Sequence, residues 1–327
     1  MKKLNEIKKG IFFILAMMAM MDISAQNPVG RHGFLKVKGN KIVGEKGEEA
    51  QLRGMSLCWT QWFGKHYNYQ TVQWLQEDWK CDVVRAAMAV EHDGYLVHPD
   101  MEQMKIETVI NAAIDIGMYV IIDWHDHHAQ RNVEAAKRFF GEMARKYALF
   151  PNIIYELYNE PLQISWKDSI KPYCEAVIAE IRKHDKRNLV ICGTPTWSQD
   201  VEVAAADPVK DENVAYAMHF YAATHKQFLR DKTKKALDMG VAVFVSEFGI
   251  CDASGRDPID YEETKTWLKF CDENKLSYCN WGIYDKKEAA AALYPGKNTF
   301  GGWTFEMLTP SGKFIRAWLR KEALVTK

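Results

Sequence analysis

Two glutamates stand where a reaction needs carboxyl groups. Glu160 lies in the run Asn159-Glu160-Pro161, just past the apolar stretch Ile153-Ile-Tyr-Glu-Leu157, and Glu247 follows the apolar run Ala242-Val-Phe-Val-Ser246. A pair of carboxyls on either side of a glycosidic bond can divide its cleavage. One protonates the leaving oxygen, and the other meets the positive charge that builds at the anomeric carbon. Other polar residues recur at the ends of apolar runs: Arg85, His125, Asn159, His219, Tyr221 and Trp281. Arg85 is expected to hold one glutamate ionised, and His219 and Tyr221 to hydrogen-bond across the site so that one carboxyl is charged and the other protonated. Asn159 is placed to grip a sugar 2-hydroxyl, with His125 beside it in a supporting position.

Bringing such scattered residues together requires a fold that gathers strand ends. Short apolar strands alternate with amphipathic helical stretches, the pattern of a parallel sheet covered by helices. Eight strand candidates are read at 51–56, 83–87, 119–123, 153–157, 189–192, 215–219, 242–247 and 278–281, with helices expected at 101–117, 133–147 and 313–321. Eight units over about 275 residues fit a (β/α)₈ TIM barrel, whose chemistry sits at the C-terminal ends of the strands. Arg85 is read as the end of the second strand. Alternation around Gly39-Asn40 predicts an N-terminal β-hairpin at the bottom of the barrel. A doubly wound nucleotide-binding sheet is disfavoured, because the first strand-to-helix turn carries neither G-x-G-x-x-G nor a phosphate-binding lysine motif.

Composition narrows the partner. Lys plus Arg and Asp plus Glu number 43 each in 327 residues, so no overall field favours nucleic acid or an anionic membrane. A neutral ligand is expected, and 11 Trp, 14 Tyr and 15 Phe supply flat faces for sugar rings. The opening residues read as a signal peptide over 1–25: four lysines, the apolar run 11–21, then Ser24 and Ala25. Export, to the periplasm or the medium, is the expectation, with one catalytic domain over 26–327. Seven cysteines in no paired spacing point to buried thiols, not a disulfide framework.

The segment Ile153-Ile-Tyr-Glu-Leu-Tyr-Asn-Glu-Pro-Leu162 resembles the signature of glycoside hydrolase family 5, the cellulase family. Further matches are Arg53-Gly-Met-Ser, Val84-Arg-Ala-Ala-Met, Val120-Ile-Ile-Asp-Trp-His, Gly193-Thr-Pro-Thr-Trp-Ser-Gln-Asp, His219-Phe-Tyr, Val245-Ser-Glu-Phe-Gly and Asn280-Trp, spanning roughly residues 30 to 320. The resemblance, strongest to bacterial endoglucanases, implies a retaining endo-β-1,4-glucanase that uses no cofactor. It makes Glu160 the acid/base and Glu247 the nucleophile, with Trp62, Trp197, Trp281, Lys286 and Glu288 contacting glucan. Mannan, xyloglucan and mixed-linkage glucan stay open as substrates on the same barrel. The chain departs from the pattern at Leu57-Cys58-Trp59, where some relatives carry histidine, and at Ala89, where they carry tyrosine.

Two other classes compete. His125 and His127 form an H-x-H pair that could ligate a metal in an amidohydrolase barrel, but that class wants the pair on the first strand and an aspartate on the eighth, where this chain has Asn280-Trp281. No metal is expected, and His127 and His128 are read as surface loop. A barrel that binds glucan without cutting it is disfavoured because both glutamates are present. Trp74, Trp79, Trp267 and Trp318 are read as packing residues, since they sit in helical stretches with apolar neighbours.

Overall fold

The computed structural model describes residues 27–325; the signal-peptide reading lies outside them. The apolar runs form strands as expected. A short antiparallel hairpin, β1 (Lys36–Lys38) and β2 (Lys41–Val43), turns through Gly39-Asn40 with Gly39 at φ 60°. Eight parallel strands follow: β3 (Arg53–Leu57), β4 (Val83–Ala89), β5 (Tyr119–His125), β6 (Ile153–Glu156), β7 (Leu189–Cys192), β8 (Val214–Tyr221), β9 (Ala242–Gly249) and β10 (Ser277–Ile283). They close in chain order, with β10 pairing both β9 and β3. Between and after them run α1 (Tyr69–Glu77), α2 (Pro99–Ile116), α3 (Val133–Tyr147), α4 (Lys171–His184), α5 (Val201–Ala206), α6 (Gln227–Asp238), α7 (Tyr261–Asn274) and α8 (Pro310–Val325). The expected (β/α)₈ barrel is therefore present, with its hairpin.

Strand alternation sorts the side chains. In β5, Val120, Ile122 and Trp124 face the helices and join the large outer core, while Tyr119 and Ile121 point into the barrel. The inner core adds Val83, Ile154, Leu189, Ile191, Ala217 and Phe244, and Leu35 and Ile42 from the hairpin region close it at the bottom. Trp79 and Trp267 are fully buried, and Trp74 and Trp318 pack against the outer core. All seven cysteines are buried free thiols.

Several strands run further at their C-terminal ends than the sequence pattern suggests. Arg85 is a correction: it sits in the middle of β4, not at its end, and is fully buried. Its long side chain, not the strand terminus, carries the charge to the site. A second feature lies in β9, where one extra residue intervenes relative to both neighbours. Ala217 pairs with Phe244 but His219 with Glu247, and Tyr278 pairs with Val245 but Asn280 with Phe248. The bulge breaks strict alternation, so that Ser246 and Glu247 both serve the site.

Phe244→Ala, deep in the inner core, should cost about 3–5 kcal/mol because the surrounding barrel cannot collapse onto the cavity. Urea denaturation measures it; a loss below about 1 kcal/mol is inconsistent with a rigid, filled interior.

Candidate active site

The charges at the open end of the barrel are organised by Arg85. Its Nε donates to Glu156 at 2.7 Å, Nη1 to Glu247 at 2.9 Å and Nη2 to Asn159 Oδ1 at 2.6 Å, with Asp123 also 2.9 Å from Nη2. Burial opposes a charge there, but Asp123, Glu156 and Glu247 outweigh it and push the guanidinium pKa up. Burial likewise pushes Glu156 upward, yet Arg85 and His219 prevail and hold it down at about 2. Asp123 goes the other way, raised by burial and its carboxylate neighbours despite Arg85.

Glu247 is gripped at both oxygens, one by Arg85 and the other by the Tyr221 hydroxyl at 2.8 Å. Burial and the nearby Glu160 raise its pKa, while Arg85, His219 and the Tyr221 hydrogen bond pull it down. The structure thus corrects the expected role of Arg85: it offsets only part of the desolvation penalty, and the Glu247 pKa stays above the ordinary carboxylate value. Tyr221 itself stays a donor, because burial and the charge of Glu247 push its hydroxyl pKa well up.

Glu160 comes from the loop after β6. His219 Nδ1 lies 3.1 Å from its carboxylate, and Nε2 lies 2.9 Å from Ser246 Oγ, which in turn donates to Glu156 at 2.6 Å. Burial alone would neutralise His219, but Glu156, Glu160 and the charge of Glu247 push its pKa up to about 9. The imidazolium then donates at both nitrogens. One oxygen each of Glu160 and Glu247 and a ring nitrogen of His219 all lie within 4.8 Å of one another.

A family model described as cellulase, glycosyl hydrolase family 5, matches residues 43–287. The chain belongs to that family. Endoglucanase A of Evansella cellulosilytica is 46% identical over 284 residues, which cover 85% of this chain and 58% of that protein. Endoglucanase Z of Dickeya dadantii is 48% identical over 288 residues, 86% of this chain and 65% of that protein. This chain thus matches under two thirds of the length of both. Among solved structures, a Cytophaga hutchinsonii protein superposes with a TM-score of 0.90 at 56% identity, covering 91% of this chain and 97% of that one. The Thermobifida fusca endoglucanase catalytic domain, solved with cellotetraose, gives 0.86 at 34% identity over 90% of this chain and 99% of that chain.

In this family 5 chain the aromatic residues differ in exposure. Trp281, 8% exposed, stacks on His125 at 5.2 Å and 5° between planes, while Trp62 is 60% exposed and Trp197 39%. Trp197 stands at positive φ, between Thr196 and Ser198, which share that conformation. The Trp197 and Thr196 amides tie this turn to the carbonyls of Pro161 and Leu162, next to Glu160. A cavity of about 410 Å³ opens there, lined by Glu160, Trp197, His219, Tyr221 and His225 among others. Lys286 pairs with Glu288 at 2.6 Å, and Tyr284 donates to the same carboxylate. The structure shows Lys286 engaged with Glu288.

Several functional neighbours escaped the sequence reading. Asp123, Glu156 and Ser246 form the buried links just described, and Trp59, beside the departure at Cys58, packs edge-on against His125 at 4.2 Å. The signal was available for Asp123 and Glu156: carboxylates inside otherwise apolar strands need a partner. His127 lies in the loop after β5, as expected, but its side chain is engaged there. Its Nδ1 sits 3.1 Å from the Glu160 carbonyl oxygen and 3.8 Å from the carboxylate. His128 is half-buried too, 3.2 Å from Glu91. Among the described residues neither His125 nor His127 belongs to a cluster of three potential metal ligands, and His125 Nδ1 is engaged with Asp123 at 2.6 Å.

Tyr221→Phe removes a donor that lowers the Glu247 pKa, so the acidic limb of the kcat/KM profile should move to higher pH. An unmoved or lowered limb contradicts this reading of the Glu247 environment. For His219 the sign is opposite to that of a stabilised carboxylate: its folded pKa of about 9 exceeds the ordinary value of 6.5. The stability it contributes is complete below about pH 6.5 and is lost as pH rises towards 9. The stability gap between wild type and His219→Gln should therefore shrink over that window in urea denaturation.

Proposed function

We propose that this chain hydrolyses internal β-1,4-glucosidic bonds of cellulose or related β-glucans with net retention, Glu247 acting as nucleophile and Glu160 as acid/base. The observation that carries the reading is the short span between the two carboxylates, within 4.8 Å at their near oxygens. Inversion requires room for a water and a separation of about 6.5–9.5 Å, whereas retention works at about 5–5.5 Å. The endoglucanase relatives and the cellotetraose-bound neighbour support a glucan substrate.

The geometry supports the following steps. Glu247, oriented by Arg85 and Tyr221, attacks the anomeric carbon; the glycosidic C–O bond breaks, and its electron pair goes to the leaving oxygen, which takes the proton of Glu160. Glu160, now a carboxylate beside the His219 imidazolium, removes a proton from water as that water attacks the glycosyl-enzyme and Glu247 departs. Asn159, fixed through Oδ1 by Arg85, directs its amide nitrogen towards His125 at 3.5 Å, where a sugar hydroxyl can share it. Trp62, Trp197 and Trp281 supply stacking faces, and Lys286 with Glu288 a polar edge. The lysine-led, apolar opening of the sequence supports action outside the cytoplasm.

Glu247→Ala should lose more than about 10⁴-fold in kcat without unfolding. Glu160→Gln, given an aryl cellobioside with an activated leaving group, should form the glycosyl-enzyme quickly and hydrolyse it slowly. Added azide should then restore turnover and yield the β-glycosyl azide. An α-azide product, or no rescue in a folded variant, assigns the roles wrongly. Reducing-end release from a panel of glucan, xyloglucan and mannan resolves the preferred backbone.

A further inference from the structure

Beside the cleft, the loops after β4 and β5 bring three potential ligands together: a carboxylate oxygen of Glu91, one of Asp126 and a ring nitrogen of His128 all lie within 4.8 Å of one another. Glu91 and His128 are already 3.2 Å apart. Asp126 is 2% exposed; its Oδ1 accepts the His128 amide at 2.7 Å, while its buried Oδ2 makes no hydrogen bond. A buried carboxylate oxygen without a donor calls for an explanation in its surroundings, and a cation is a physical one. Glu91 and His128 keep side chains 30% and 27% exposed, so the group is reachable from solvent on one side.

We propose that Glu91, Asp126 and His128 bind one divalent transition-metal ion, of the Zn²⁺ or Mn²⁺ class, with water completing its shell. Ligand atoms about 2.1 Å from an ion stand at most about 4.2 Å apart, so small side-chain rotations close the group. An imidazole with two carboxylates suits borderline Zn²⁺, and the two carboxylates with water suit Mn²⁺, whereas Ca²⁺ and Mg²⁺ favour oxygen alone. The site stands outside the chemical step but touches its support. The Asp126 carbonyl accepts the Glu160 amide at 3.4 Å, and His127 holds the Glu160 carbonyl from the next position. The ion would thus pin the loop after β5, against which the acid/base backbone rests, to the loop after β4.

The test uses the full chain stripped with chelator and titrated with Zn²⁺, Mn²⁺ and Ca²⁺, by calorimetry and thermal unfolding. Glu160, His219 and Glu247 form a second group of similar spacing, so the titrations are repeated in Glu160→Gln/Glu247→Gln. Expected is one Zn²⁺ or Mn²⁺ per chain in both backgrounds, with Tm raised; at a concentration a hundredfold above Kd the folding constant rises about a hundredfold. Asp126→Asn, which keeps the Oδ1 acceptor, and the more exposed Glu91→Gln and His128→Gln should each weaken binding at least about tenfold. Binding that disappears in the Glu160→Gln/Glu247→Gln background places the ion in the cleft and overturns the proposal. So does unchanged affinity in folded Asp126→Asn and His128→Gln, preference for Ca²⁺, or no saturable binding up to about 1 mM.

Discussion

A single guanidinium, sealed inside the barrel, sets the terms for everything around it. Arg85 has no exposed surface and faces three carboxylates and one amide. Taking such a cation out of water is costly, and only well-placed counter-charges offset it; removing it would leave several acids repelling one another without a partner. The demand is also geometric. A planar fork can reach Asp123 in β5, Glu156 in β6 and Glu247 in β9 at once, which a lysine's point charge cannot. The barrel must therefore hold β4, β5, β6 and β9 in one fixed arrangement for the charges to balance.

The two carboxyls of the site receive different kinds of support. Glu247 is built into β9 and clamped at both oxygens, as suits the nucleophile proposed here, which would meet one carbon atom along one line. Glu160 stands four residues past the end of β6, with His219 on one side and His127 on the other. The acid/base role proposed for it serves a leaving oxygen first and a water afterwards, and a loop position leaves it that latitude. The Gly249 backbone sharpens the contrast: a β-carbon there would stand 2.2 Å from the Tyr221 ring, so a bare glycine lets the nucleophile's donor lie flat against the strand.

What the amino-acid order reveals depends on whether the signal is local. Apolar runs separated by amphipathic stretches make the barrel legible, and the polar residues at the run ends point to one face. Glu160, Glu247, His219 and Tyr221 are brought together as that pattern implies. Strand length is less legible, because inward residues near the open end turn polar and end the apolar run early: Asp123 and His125 still belong to β5. The β9 bulge leaves no local trace at all, since it exists only against the registers of β8 and β10. The contact of His127 is hidden for a related reason, as its partner is a backbone carbonyl in another loop. Polar side chains predict that a contact is wanted, not where it is found.

The seven buried thiols, none of them bridged, give the molecule an unusual independence from its surroundings. Covalent cross-links contribute nothing to holding this barrel closed, so reductants acting on the native state find no bridge to break. Alkylating reagents meet the same barrier, because each sulfur becomes accessible only when the shell around it opens. Cys279 lies in the inner core, Cys174 and Cys192 in the outer one, and Cys58 and Cys251 near the mouth. The chain consequently carries its own set of depth markers, and the order in which they react would chart how the barrel comes apart.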